Sequence, residues 1–230
     1  MKQQQSSSSD SVFSSYQRND EYLDEVISSD GQIEEPYRMI VDHFNSYSKE
    51  DFVALYEYAK LSFLRQGITF ATYNENPKGI ERIFPFDLLP RIISAKEWSN
   101  IEKGVNQRNH AINEFLRDVY HDKKIIKDGV VPAALINSSA HFLDIMKGFT
   151  PPKNIYTHIS GTDVIKHNDG KYYVLEDNLR CPSGVSYVLS NREAMKKNLS
   201  RVFRDLNVRT VANYPQELLQ MLRSVAPNGK

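Results

Sequence analysis

The sequence predicts an α/β (α+β) protein in which a mixed, largely antiparallel sheet is flanked by helices. The first observation is a hairpin pattern: strand-like runs at Thr162–His167 and Lys171–Asn178 flank the turn signal Asn168-Asp169-Gly170. The second is a long amphipathic pattern from Ser94 to Tyr120, which is typical of a helix. We expect this helix to pack against the hairpin, and the hairpin to form the active edge of the sheet.

Composition narrows the class of protein. With 230 residues, of which 40% are hydrophobic and 25% charged, the chain can bury one substantial core and a small second lobe. The 29 basic and 29 acidic residues cancel and no dense basic stripe is present, so we expect no nucleic-acid partner. No apolar run approaches the roughly 20 residues that cross a bilayer, so no membrane is expected, and a single cysteine excludes an internal disulfide. The first residues lack the apolar segment of a secretory signal, which favours a cytoplasmic location.

The N-terminal part of the chain begins with residues 1–21, a Ser/Gln-rich segment that is expected to form a disordered tail, with order beginning near Tyr22. Two helical patterns follow, and the second is capped by Ser48 and ended by Gly67. Short extended segments come next, separated by a loop at 74–79 and by prolines. In order, the predicted elements are helices Pro36–Tyr47 and Lys49–Gln66, then extended segments Ile68–Tyr73, Ile80–Phe84 and Arg91–Ile93.

The predicted long helix begins at a capping box formed by Ser94 and Glu97. Its apolar positions recur every three or four residues and are expected to face the core. They are Trp98, Ile101, Val105, Ile112, Phe115 and Val119. Arg108 lies on the same seam, and a buried guanidinium needs a partner. An ion pair with an acid of the protein is favoured over contact with an anionic ligand, and both alternatives stay open.

The pattern after the long helix is less regular. Residues Lys124–Leu135 are predicted to form a strand or loop, and Ala140–Lys147 a short helix. A second capping box, made by Ser190 and Glu193, predicts the start of a basic helix that ends near Leu206. Pro215 is expected to open a last helix that runs through Leu222.

The predicted hairpin brings two carboxylates together. If Asp169-Gly170 is a two-residue loop, Asn168 faces Lys171 and Asp163 lies opposite Glu176. Opposed like charges destabilise a hairpin, so a positive charge is expected between them. Magnesium prefers carboxylate and amide oxygens, which suits Asp163, Glu176 and the carbonyl of Asn178. A surface hairpin with scattered polar residues, or acids neutralised by lysines, is the alternative.

Further polar groups follow the hairpin. Arg180 continues the alternation of Glu176 and Asn178 and could meet phosphate charge. The turn at Pro182-Ser183-Gly184, or a helix beginning there, offers free backbone N–H groups that can bind a phosphate. A thiol dyad of Cys181 with His158 is disfavoured because no pattern brings the two together. The histidines and the cysteine also lack the spacing of a zinc site.

Several longer segments resemble one protein family. The most specific is Val174-Leu-Glu-Asp-Asn-Leu-Arg-Cys-Pro-Ser-Gly-Val-Ser-Tyr187, and shorter matches precede it. These are Glu81-Arg-Ile-Phe-Pro-Phe-Asp87, Pro90-Arg-Ile-Ile93, Glu97-Trp98, Gln107-Arg108 and Asp128-Gly129. Together they resemble the circularly permuted ATP-grasp proteins of type 2, which are related to glutathionylspermidine synthetase. The resemblance covers residues 22–230, which would form the N-terminal part of a circularly permuted ATP-grasp domain.

The resemblance implies an ATP-dependent carboxylate–amine ligase with a partial ATP-grasp-like fold. In such enzymes ATP phosphorylates a carboxylate, and an amine attacks the acyl phosphate to form an amide or peptide bond. The implied ligands are ATP, Mg²⁺ and an amino acid or small peptide. The family's metal ligands match Asp163, Glu176 and Asn178. From their chemistry and placement in the sequence, Arg180 and Arg108 would stabilise phosphate or acyl-phosphate oxygens.

The sequence departs from the family in two respects. In glutathionylspermidine synthetases an arginine precedes the metal-binding aspartate by two positions, whereas Gly161 stands here. Family members also continue for about as many residues again, and that later half supplies the lysines that hold the nucleotide. We assign no such lysine in this chain, and a GxxxxGK loop is absent. The C-terminal half is therefore an expected partner of a magnesium-binding half, and a truncated or non-catalytic interaction module is the alternative.

Overall fold

The computed structural model of the protein describes residues 12–72 and 80–227. The chain divides into two compact units, one made of residues 1–94 and 184–211 and the other of residues 95–183 and 212–230. In chain order the elements are a 3₁₀ turn Glu35–Tyr37, α1 Arg38–Asn45, α2 Lys49–Arg65, β1 Thr69–Thr72, β2 Ile80–Ile83, α3 Ala95–Tyr120, α4 Lys124–Lys127, α5 Ala133–Asn137, 3₁₀ turns Asp144–Met146 and Pro152–Asn154, β3 Gly161–Lys166, β4 Tyr172–Asn178, α6 Val185–Asn198, α7 Ser200–Asp205 and α8 Tyr214–Val225.

The helices of the N-terminal region begin and end at the predicted signals. Ser48 caps α2, since its Oγ accepts a hydrogen bond from the backbone N–H of Asp51 at 3.1 Å. Gly67 follows the end of α2 with a φ of +66°, a left-handed conformation that glycine adopts without strain. Helix α3 likewise starts directly after Ser94, and α8 carries Pro215 in its first turn. These predictions are confirmed.

The first unit is built around a buried apolar core. Its buried members come from the first 3₁₀ turn, α1, α2, the loop after β2, the junction between α6 and α7, and α7. They are Tyr37, Ile40, Val41, Phe44, Ala59, Phe63, Phe86, Leu88, Leu199 and Val202. Strands β1 and β2 pair antiparallel beside this core. The ring of Tyr187 stacks on Phe84 at 4.3 Å between centroids. Phe13 also packs against the core, so ordered structure begins before Tyr22, earlier than predicted.

The second unit contains the longest helix, α3, which has 26 residues as the capping and periodicity predict. The segment after it contains no strand, and the predicted loop is confined to residues 128–132 because α4 and α5 are short helices. The carboxylate of Asp118 explains α4: its two oxygens accept hydrogen bonds from the backbone N–H groups of Lys124 and Ile125, both at 2.9 Å. The helix predicted at Ala140–Lys147 is reduced to one 3₁₀ turn.

Helix α6 begins earlier than predicted. It starts at Val185, directly after Gly184, whose φ of +97° sets the entry of the chain. Ser190 therefore lies inside the helix and is not its cap, which corrects the second predicted capping box. The helical segment also breaks at Leu199, where α6 gives way to α7.

The fold class is confirmed, since helices flank small antiparallel sheets. Among the described residues, however, the strands form two separate hairpins, β1–β2 and β3–β4, and not one larger sheet. The predicted extended segment Arg91–Ile93 contains no strand. Tyr73 and the predicted loop at 74–79 lie outside the described residues. In the part of the chain that the structure describes, no helix is long and apolar enough to span a bilayer.

Candidate functional site

The β3–β4 hairpin is closed by a three-residue turn, and the predicted two-residue turn is wrong. His167 faces Lys171, and its N–H donates to the Lys171 carbonyl at 2.9 Å. Gly170 has a φ of +75°, so Asn168-Asp169-Gly170 forms a turn that ends in a left-handed residue. The Asp169 carboxylate accepts the Lys171 N–H at 3.0 Å, which holds the turn. By itself this turn moves every cross-strand pair by one residue from the predicted register.

A β-bulge restores the predicted carboxylate pair. Val164 lies opposite Val174, whereas the next residue of β3, Asp163, lies opposite Glu176. Leu175 is thus the extra residue of β4. Because the turn and the bulge displace the register in opposite senses, Asp163 faces Glu176 as predicted, although for a different reason.

Asp163, Glu176 and Asn178 lie on one face of the hairpin. The amide nitrogen of Asn178 donates to Glu176 Oε1 at 3.1 Å, which leaves the amide oxygen of Asn178 available as a ligand. All three residues are exposed. Among the described residues neither Asp163 nor Glu176 has an ion-pair partner, so lysines of that part of the chain do not neutralise them. Two carboxylates and an amide oxygen fit the donor set of a hard divalent cation.

No denser metal cluster accompanies this group. Within residues 12–72 and 80–227, no three His, Cys, Asp or Glu side chains are arranged to hold a metal ion. The predicted set contains only two carboxylates, and the rest of its ligands would be an amide, water and phosphate oxygens.

The opposite face of the hairpin carries a different carboxylate, that of Asp177, which sequence reasoning missed. Arg108 of α3 holds it through two nitrogens, Nε and Nη2, each 2.7 Å from Asp177 Oδ2. Thr162, opposite Asp177 on β3, donates to Oδ1 at 3.0 Å. The Arg108 guanidinium lowers the pKa of Asp177 below its ordinary value, although partial burial opposes this shift.

Arg108 therefore forms the ion pair with an acid of the protein that the sequence favoured. The seam pattern predicted a buried guanidinium, and that prediction is wrong. That side chain is 45% exposed, whereas the Asp177 side chain is only 10% exposed. Since Asp177 alternates with Glu176 and Asn178 along the strand, Arg108 contacts the face opposite the predicted metal ligands.

Polar side chains of α3 hold the rest of the hairpin and the segment before it. Glu97 accepts from Lys166 Nζ at 2.8 Å. Asn109 Oδ1 accepts from the hydroxyl of Ser160 at 3.0 Å. Asn113 Oδ1 accepts two backbone N–H groups, those of Tyr156 at 2.7 Å and Thr157 at 3.1 Å. Asn109 and Asn113 are four residues apart beside Arg108, a polar helical stripe that could have indicated this interface.

The residues after β4 are positioned separately. The strand ends at Asn178, so Arg180 lies beyond it, with Nη1 3.2 Å from His141 Nδ1. Gly161 lies against Pro182: a Cβ at residue 161 would be 3.0 Å from Pro182 Cβ. A side chain at residue 161 would therefore crowd the loop that follows β4.

Of the other predicted site residues, Ser183 is exposed and belongs to the second unit, whereas Gly184 belongs to the first. No hydrogen bond joins the exposed Cys181 to His158 among the described residues, so nothing supports the disfavoured thiol dyad.

The chain matches known proteins over most of its length. Residues 90–230 match the family described as circularly permuted ATP-grasp type 2. An uncharacterized protein of Synechocystis sp. is 41% identical over 206 residues, which cover 90% of this chain and 43% of that protein. An uncharacterized protein of Mycobacterium leprae is 39% identical over 224 residues, which cover 96% of this chain and 39% of that protein.

A third relative has a name that mentions an activity. A protein of Frankia casuarinae named "Putative glutamate--cysteine ligase 2-2" is 33% identical over 162 residues, covering 70% of this chain and 18% of that protein. The chain thus spans about two fifths, or less, of the length of these relatives. The match over residues 90–230 is more than half of the chain and includes the whole β3–β4 hairpin. The chain therefore belongs to the circularly permuted ATP-grasp type 2 family.

Proposed function

We propose that this chain is the magnesium-binding part of an ATP-dependent carboxylate–amine ligase that forms a peptide-type bond through an acyl phosphate. The observation that most directly supports this proposal is that Asp163 and Glu176 face each other, with Asn178 beside them. Neither carboxylate has a cationic partner among the described residues. Membership of the ATP-grasp family supports the use of ATP, and the ligase name of the Frankia relative supports the reaction class.

The proposed roles follow from the chemistry of each group. Asp163, Glu176 and the Asn178 amide oxygen would hold Mg²⁺, which when bound neutralises charge on the phosphates of ATP. Arg180 is exposed after the end of β4 and is the guanidinium proposed to meet a phosphate or acyl-phosphate oxygen. Backbone N–H groups at Ser183 and Gly184 are proposed as additional phosphate donors.

Arg108 takes a different role in this proposal from the phosphate contact that its chemistry and its placement in the sequence indicated. Its guanidinium already binds Asp177 through two nitrogens, so it is better suited to hold the hairpin than to contact a phosphate. The substrates are proposed to be an amino acid or small peptide and an amine.

The chain is proposed to act together with a further polypeptide segment, corresponding to the part of the longer relatives that it does not match. An isolated two-stranded hairpin is marginally stable and is normally extended by further strands or covered by other elements. Here the β3–β4 hairpin leaves apolar side chains accessible, including Ile165 at 40%, Tyr173 at 46% and Leu175 at 64%. A segment that covers them would complete both the sheet and the nucleotide site.

Metal binding is tested by titrating Mn²⁺, as a spectroscopic substitute for Mg²⁺, into the chain with and without ATP and following free Mn²⁺ by electron paramagnetic resonance. We expect binding by the wild type and loss of binding in Asp163→Asn/Glu176→Gln. Asp144→Asn is the matched control, because this exposed carboxylate of the same unit lies outside the site. Equal Mn²⁺ affinity of the wild type and the double variant would contradict the assignment.

A ligase converts ATP to ADP as it joins its substrates, whereas a non-catalytic interaction module releases no ADP. The chain is mixed with the portion of the Synechocystis relative that it does not match, and ADP release is measured with amino acids and glutathione-like peptides as substrates. A ligase is expected to release ADP only when both parts are present, and Glu176→Gln should abolish that release. Binding of the two parts without ADP formation from any substrate would favour the interaction module.

A further inference from the structure

The register in the turn half of the β3–β4 hairpin does not continue to its far end. The turn half pairs Val164 with Val174, and continuing that register would place Asp163 opposite Leu175. Glu176 would then move to the opposite face, away from Asp163. The observed register instead contains a bulge and two directly opposed carboxylates, both of which are unfavourable features. Some other interaction must stabilise it.

We propose that Arg108, Asp177 and Thr162 form a register lock, which selects the bulged pairing and so keeps Glu176 and Asn178 on the same face as Asp163. These three are positioning residues that act from the opposite side of the hairpin. The lock is a property of the fold, whereas its consequence for metal binding rests on the proposed function.

Two anchors on one helix explain why the bulge forms. Near the turn, Lys166 of β3 bonds to Glu97 of α3 at 2.8 Å, and its cross-strand partner Tyr172 reaches the same carboxylate at 3.4 Å. At the far end, Asp177 is tied to Arg108 of the same helix at 2.7 Å. Between these anchors β4 has one residue more than β3. The extra residue, Leu175, is therefore expelled from the ladder, and its side chain is 64% exposed.

A second carboxylate of β4, that of Glu176, competes with Asp177 for the contact with Arg108. In the unbulged register Thr162 would lie opposite Glu176, so Glu176 would occupy the face that contacts Arg108. Asp177 prevents this exchange by using both of its oxygens, one for Arg108 and one for Thr162. Its side chain is only 10% exposed, so leaving it unpaired would be costly. Removing the Asp177 carboxylate should let Glu176 take its place.

The register can be read directly by nuclear magnetic resonance on the labelled full chain. In the wild type we expect cross-strand nuclear Overhauser effects between Gly161 and Asn178, the last pair of the ladder. In Asp177→Ala we expect them to be replaced by contacts between Gly161 and residue 177. Asp177→Asn, which can still bond to Arg108 and Thr162, should retain the wild-type contacts, and Asp144→Ala should leave them unchanged.

A purely destabilising role would lower the melting temperature of Asp177→Ala without moving these contacts, and that result would overturn the lock. If Asp177→Ala does not fold, Arg108→Gln replaces it, because Arg108 is half exposed. This variant is expected to show a second set of signals from the shifted register. Wild-type contacts alone in Arg108→Gln would equally overturn the proposal.

Mn²⁺ binding separates the lock from the proposed function. Asp177→Ala should lose more than the about 10–100-fold in Mn²⁺ affinity that follows loss of an outer partner alone, because the shifted register removes Glu176 and Asn178 from the face of Asp163. Asp177→Asn should lose much less. If the wild type binds no Mn²⁺ but the register still shifts in Asp177→Ala, the proposed function fails and the lock stands. If the wild type binds Mn²⁺ and the register does not shift, the lock fails and the proposed function stands.

Discussion

The two units of the chain are stabilised in different ways. Among its described residues, the first unit encloses ten buried apolar ones. In the second unit, Val119 and Pro151 are the only buried residues among those described, and α3 holds the hairpin through polar side chains. Apolar burial contributes most of the free energy of folding but has little directionality, whereas hydrogen-bonded ion pairs contribute little net energy and specify geometry. The unit that carries the candidate site is thus the one organised for precise placement.

The largest effect is expected from a cavity in the first core. Phe44 is 0% exposed, so Phe44→Ala should lower the free energy of unfolding by about 3–5 kcal/mol. Tyr58→Ala is the control, since Tyr58 is 65% exposed and its removal should cost no more than about 0.5 kcal/mol. Urea denaturation combined with amide hydrogen exchange measures both. An equal loss of protection in α3 would show that the two units unfold as one body and would contradict their separate stabilisation.

Two glycines of the second unit should respond with opposite signs. Gly161→Ala should destabilise by about 1–3 kcal/mol, because the new Cβ would lie 3.0 Å from Pro182 Cβ. Gly104→Ala, in the interior of α3 with nothing within 4 Å of a new Cβ, should stabilise by about 0.5–1 kcal/mol. Thermal unfolding followed by circular dichroism distinguishes the two. Stabilisation by both substitutions would show that the contact with Pro182 relaxes freely.

A smaller, pH-dependent effect is expected at Asp118. The hydrogen bond from the Ile125 N–H, opposed by desolvation and assisted by Lys124, lowers the pKa of Asp118 in the folded state. Because the pKa of Asp118 is lower in the folded state than in the unfolded state, its ionised carboxylate stabilises the protein at pH values above the unfolded pKa of about 4. This stabilisation is lost as the pH falls through the pKa that Asp118 has in the folded state. Asp118→Asn should therefore be less stable than the wild type at pH 7, and the difference should shrink in acid.

Urea titrations at several pH values test this dependence. Asp122→Asn is the matched control, because Asp122 lies close by in sequence but makes only an exposed contact with Lys124 at 3.5 Å. A difference between the wild type and Asp118→Asn that stays constant from pH 7 into acid would contradict the role of the carboxylate as an acceptor for α4.

The smallest effect on stability is expected at the exposed apolar surface of the second unit. Ile145 is 87% exposed, so Ile145→Lys should change the free energy of unfolding by no more than about 0.5 kcal/mol. Thermal unfolding measures this change. A loss comparable to that of Phe44→Ala would show that the second unit has an apolar core around Ile145, and would remove the contrast between the units.

Local signals predicted the helices well where their cause is local. Ser48 and Gly67 delimit α2, and the capping position Ser94 precedes α3, because caps and periodicity act within one or two turns. The segment after Tyr120 was predicted wrongly because α4 depends on Asp118, a side chain of the preceding helix. The start of α6 was also misplaced, since a Ser-x-x-Glu pattern inside a helix resembles one at its beginning.

The sequence by itself determined which residues are brought together as the candidate site: the carboxylates and amide at 163, 176 and 178, and the motifs that mark the family. Only the tertiary structure decided how they come to share a face. The turn has three residues and would by itself separate Asp163 from Glu176, and the bulge at Leu175 reunites them. That bulge depends on contacts from Glu97 and Arg108 to residues 69 positions away in sequence. Pairings over such distances depend on packing, which local periodicity does not encode.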